Sequence, residues 1–74
     1  MIRTAILRVL AVRPGTYAGL IETVGVQAGL SRRAVDDVLN AMVREGLLLR
    51  ARSGNVDDHV FSLSASGLAA YARL

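Results

Sequence analysis

A mainly α-helical fold with one small β-hairpin, in the order helix–helix–helix–strand–strand–helix, is what this sequence predicts. Three observations carry that reading. Apolar residues recur at helical spacing through residues 2–45. After Gly46 the pattern changes to alternation, the signature of strands. Residues that cap helices or turn the chain stand between these segments: Pro14-Gly15-Thr16, Gly29, Ser31, Ser53-Gly54-Asn55 and Ser64.

The first helix is expected over residues 2–12, with Ile2, Ala5, Ile6, Val9 and Leu10 on its inner face. Pro14-Gly15 suits the centre of a type II turn, where glycine takes a positive φ cheaply. Thr16 then caps a second helix running to Ala28, with Leu20, Ile21, Val24 and Ala28 buried. Gly29 closes that helix in the left-handed conformation, and Ser31 caps the third. Leu30 and Val35 flank this cap as a hydrophobic staple. Val35, Val38, Leu39 and Met42 face inward on the third helix, which ends near Glu45-Gly46.

Leu47, Leu49 and Ala51 alternate with Leu48, Arg50 and Arg52 as a first strand. The second covers residues 59–63, with Phe61 and Leu63 toward the core. Ser64 caps a closing helix, and Leu63 pairs with Leu68 as its staple.

Composition narrows the function classes. The chain has 74 residues, enough for a single domain (1–74) and too few for two. It has no cysteine, so no disulfide, thiolate metal site or thiol nucleophile is available. The one histidine, His59, lacks a second metal ligand and reads as an ordinary hairpin residue. No glycine-rich phosphate loop or paired carboxylates beside a pocket appear, so neither an enzyme nor a cofactor site is expected. No run approaches the roughly 18 apolar residues of a membrane span. Arg3, Arg8 and Arg13 break up the N-terminal segment as they would not in a signal peptide. A cytoplasmic protein is the expectation. The net charge of +3 is compatible with a polyanionic partner.

Residues 21–40 carry the densest signal. Two helices crossing through a short turn need a small residue at the crossing, a glycine in the turn and apolar residues around both. Gly25, Gly29, Val24, Ala28, Leu30, Val35 and Val38 fill these positions. With the hairpin at 47–63 behind them, the order is that of a winged helix-turn-helix. AGLSRRAVDDVLNAMVREGLL (28–48) and VFSLSASGLAAY (60–71) carry a resemblance to that superfamily, with small MarR- and PadR-like regulators nearest.

The resemblance implies a sequence-specific regulator of transcription that binds double-stranded DNA. Its recognition helix (31–45) would enter the major groove, and its wing (47–63) would lie along the backbone or minor groove. Larger members carry an effector domain and long dimerisation helices, neither of which is expected within these 74 residues.

Helical stepping turns Arg33, Asp37, Asn40 and Arg44 outward, with Arg32 and Asp36 on the shoulder. Arginine pairs bidentately with guanine and asparagine with adenine, while a capped helix start favours phosphate. Ser31, Arg32, Arg33 and Asn40 are therefore the expected helix contacts, and Arg50 and Arg52 the wing contacts. Arg32 with Asp36, and Arg33 with Asp37, also have the spacing of ordinary surface ion pairs. Residues 31–60 hold five arginines against five carboxylates, a balance that suits a protein-binding module as the alternative. Phe61 and Tyr71 read as core. Leu7 and Ala11 step to the face of the first helix opposite its apolar stripe. With Leu74 they form the expected interface of a homodimer.

Overall fold

The computed structural model describes residues 2–74. Helix α1 spans Ile2–Val12 and is followed by a two-residue strand, β1, at Gly15–Thr16. A short helix α2 (Tyr17–Leu20) continues without a break into a π-helical segment at Ile21–Val26. Then come α3 (Arg32–Arg44), β2 (Leu48–Ala51), a 3₁₀ turn at Val56–Asp58, β3 (Val60–Leu63) and α4 (Ala65–Ala72). The strands form an antiparallel sheet ordered β1-β3-β2, with Gly15 opposite Phe61 and Leu48 opposite Leu63.

The expected caps form. Thr16, Ser31 and Ser64 each accept from the backbone amide three residues on, at 3.1, 3.1 and 3.0 Å. Each satisfies one of the donors left free at a helix start. Gly29 (φ 69°) and Gly46 (φ 80°) are left-handed, as only glycine permits cheaply. Both close Schellman turns: Leu30 N–H bonds Gly25 C=O at 2.8 Å, and Leu47 N–H bonds Met42 C=O at 3.0 Å.

One cluster of side chains forms the core, with Ile6, Leu20, Val35, Leu39, Met42, Leu48 and Phe61 almost wholly buried. Gly25 lies where the second and third helices cross. A Cβ there would sit 3.2 Å from Val35 Cγ2.

Four expectations are corrected. Gly15 does not take a positive φ; it lies in β1, paired to Phe61. Ala28 is exposed, because the wider π turns upstream rotate the inner stripe onto Val24 and Gly25. Tyr71 is exposed, on the outer side of α4. Leu7 belongs to the core at 6% exposure, because α1 is covered on both sides, by α3 and β3 and by α4. It is unavailable as a surface contact. Ala11 is half-buried, and Leu74 is exposed. Among the described residues, no helix is long and apolar enough to cross a membrane, and no group of metal-ligating side chains gathers.

Candidate nucleic-acid interface

The third helix and the β2–β3 hairpin are joined by a chain of polar contacts that starts at Tyr17. This residue follows the Thr16 cap directly and is buried, its ring 6.4 Å from that of Phe61. Its hydroxyl donates to Asp36 Oδ1 at 2.9 Å. Burial first, and then the bond to Asp36, push the Tyr17 hydroxyl pKa above that of an ordinary phenol. Asp36 Oδ2 accepts from Asn40 Nδ2 at 3.3 Å, and Asn40 Oδ1 accepts from Arg50 Nη1 at 2.8 Å. Arg50 Nε donates to His59 Nδ1 at 3.1 Å, and its guanidinium carbon lies 5.0 Å from the centre of the Phe61 ring. Among the described residues, no buried side-chain nitrogen or oxygen lacks a partner.

These contacts redraw several expected roles. Asn40 and Arg50 are bonded to each other and half-buried, whereas both were expected to project freely. His59 is 8% exposed, because the alternation that buries Phe61 also turns residue 59 inward. Arg32 does not pair with Asp36. It reaches across to Asp57 of the 3₁₀ turn and lies over Tyr17, 5.2 Å from the ring centre. Its contacts with Tyr17 and Asp57 hold its pKa above the usual arginine value. Arg33 is fully out in solvent, in a loose pair with Asp37 at 3.8 Å. Ser31 stands exposed at the start of α3, its oxygen engaged in the cap.

Of the five carboxylates that balance the arginines of residues 31–60, four are engaged and the fifth, Asp58, lies exposed in the 3₁₀ turn. Asp57 holds Arg32, Asp37 faces Arg33, and Glu45 pairs with Arg3 of α1. Asp36 is engaged by Tyr17 and Asn40. A groove between the C-terminal half of α3 and β2 is lined by Asn40, Val43, Arg44, Leu49, Arg50 and Arg52, together with Gly46 and Leu48. Three arginines line it and no carboxylate does. None of the three makes an ion pair among the described residues.

Three helices, with the third laid beside a twisted hairpin and a short strand completing the sheet, define the architecture. It is a winged helix. Solved structures with the same arrangement include a mutant form of ZitR from Lactococcus lactis (TM-score 0.75, 22% identity, covering 97% of this chain and 47% of that one). The transcriptional regulator BldR from Sulfolobus solfataricus matches with a TM-score of 0.78 at 14% identity, over 97% of this chain and 50% of its own. The adhesin competence repressor AdcR from Streptococcus pyogenes matches with a TM-score of 0.78 at 16% identity, over 97% and 52%. The chain therefore spans about half the length of these proteins. No protein-family model matches the sequence, and no curated protein matches it.

Proposed function

We propose that this winged helix binds double-stranded DNA as a regulator of transcription, with α3 in the major groove and the hairpin on the backbone. The observation that carries the reading is the groove between α3 and β2, lined by Arg44, Arg50 and Arg52 and by no carboxylate. Phosphate binding needs clustered cations, and this groove gathers three arginines that make no ion pair among the described residues. Arg33, exposed and loosely paired, supplies a guanidinium for a guanine edge. The winged-helix neighbours include a transcriptional regulator and a repressor, which supports the same reading.

The chain acts as a homodimer in this reading. Leu68, Tyr71 and Leu74 form an exposed apolar stripe on and just beyond α4, and Val12 is bare at the end of α1. A two-fold axis through that stripe would set two recognition helices on half-sites about one DNA turn apart. Leu74 keeps the interface role expected of it, Ala11 lies beside Val12 at the margin, and Leu68 and Tyr71 take the place of Leu7.

A salt series on random and selected duplexes tests the function. Three arginine–phosphate contacts predict that log K falls with log salt at a slope of roughly −3 per bound chain. Failure to enrich any duplex from a random pool at low salt would overturn the proposal and direct attention to a protein partner for the same surface.

A further inference from the structure

We propose that His59 and Asn40 are positioning residues: together they hold the Arg50 guanidinium ready for a DNA phosphate, and neither reads a base. The inference rests on the DNA-binding reading and assigns roles within that interface.

Asn40 is the first ground. Bidentate recognition of adenine needs both ends of the side-chain amide. In Asn40 both ends are engaged, Oδ1 by Arg50 and Nδ2 by Asp36, whose other oxygen is held by Tyr17. Turning Asn40 to a base would break two bonds and release Arg50. His59 is the second ground. It lies behind Arg50 and is too buried to meet a duplex, yet its Nδ1 fixes Arg50 Nε. Its own carbonyl accepts from Tyr17 N–H at 2.8 Å, which locks the backbone on which the imidazole stands.

Arg50 is the third. A guanidinium presents five N–H donors in one plane. One bond to His59, one to Asn40 and the face of Phe61 set that plane, leaving three N–H groups without a protein partner among the described residues in an arginine that lines the groove. A guanidinium already held in place loses less freedom when it meets phosphate.

The test compares His59→Leu, which removes the acceptor, with His59→Gln, which restores one. Affinity for a random-sequence duplex is read by fluorescence anisotropy, at a temperature where circular dichroism shows every variant folded. His59→Leu should bind roughly three- to tenfold more weakly with an unchanged salt slope, because the Arg50 charge remains. His59→Gln should recover most of that loss. Arg50→Lys, which keeps the charge but has no fork to span two partners, provides a second variant and should weaken binding in the same way. Asn40→Ala should weaken binding to all duplexes alike.

A readout independent of DNA is the water-exchange rate of the Arg50 Nε–H in nitrogen-15 NMR, slow in the parent chain and fast in His59→Leu. Unchanged exchange in His59→Leu would overturn the proposal. So would an Asn40→Ala variant that relaxes preference at a single base position. If the parent chain binds no duplex, the functional reading fails, while the Nε–H measurement still decides whether Arg50 is held.

Discussion

Gly67→Ala is expected to be the most damaging single-methyl addition in the molecule. The first turn of α4 sits on the tight turn that ends α3: Ser64 N–H donates to Leu47 C=O at 3.0 Å, and Ser64 itself caps α4 through Gly67 N–H. A Cβ at position 67 would fall inside the van der Waals shell of the Leu47 carbonyl oxygen. It would also lie 3.1 Å from the carbonyl carbon and 3.3 Å from Leu63 Cδ2. Most of that wall is backbone, so α4 must move as a body. Overpacking of this kind costs about 1–3 kcal/mol. Stretching the Ser64–Leu47 bond adds about 1 kcal/mol. Replacing glycine by alanine in a helix returns about 1 kcal/mol. The net loss is about 1–3 kcal/mol, which in a domain this size lowers Tm by roughly 4–24 °C. Thermal melts followed by circular dichroism measure it, with the exposed neighbour Ser66→Ala as control, expected to melt with the parent. A Gly67→Ala protein melting within about 2 °C of the parent would refute the seating of α4 on the Gly46–Leu47 turn.

Gly25→Val should cost about 1–3 kcal/mol by forcing apart the second and third helices, read as a shift in denaturant midpoint. Arg33→Ala should cost about 1–3 kcal/mol on a selected DNA site and little on random DNA, whereas Arg52→Ala should weaken both and flatten the salt slope. The Arg3–Glu45 pair gives a pH signature. The bond from Arg3 holds the Glu45 carboxyl below the usual carboxylate range, so its stabilisation is present at neutral pH and lost as pH falls through that lowered range. Arg3→Gln should therefore lower Tm slightly at neutral pH and low salt, with the difference vanishing in acid and in high salt. Leu68→Glu should yield a folded monomer by light scattering, while Leu7→Glu should unfold the chain, because it buries a charge in the core.

The helices and caps were legible because each depends on residues close in sequence. Ser31 with Val35, Thr16 before Tyr17, and Gly29 after Ala28 are local chemistry, and the structure follows them. β1 was hidden because two residues carry no period, and their pairing partner lies over forty residues away. The π segment was hidden because apolar spacing does not separate bonds to the fourth residue from bonds to the fifth. At the site, Arg44 and Arg52 stand out in solvent as helical and strand stepping imply. Tyr17 had a signal: with Leu20, Ile21 and Val24 it completes a helical stripe. His59 had one as well, in its alternation with Phe61 and Leu63. What no spacing encodes is that Arg50 reaches Asn40 and Arg32 reaches Asp57, since both bonds depend on how the hairpin leans over α3.

The sheet order leaves β2 outermost, with one edge of its backbone unpaired and Leu49 bare at 58% exposure beside it. Such an edge is a template on which a second chain can add a strand and begin a fibril. Its defences are its brevity and the positive charge at Arg50 and Arg52, which would face the same charges on an incoming copy. Neutralising those arginines therefore does more than weaken a grip on phosphate; it strips the edge of its guard. Arg50 and Arg52 variants should be checked for slow, concentration-dependent thioflavin signal, and Lys should protect the edge better than Ala at either position.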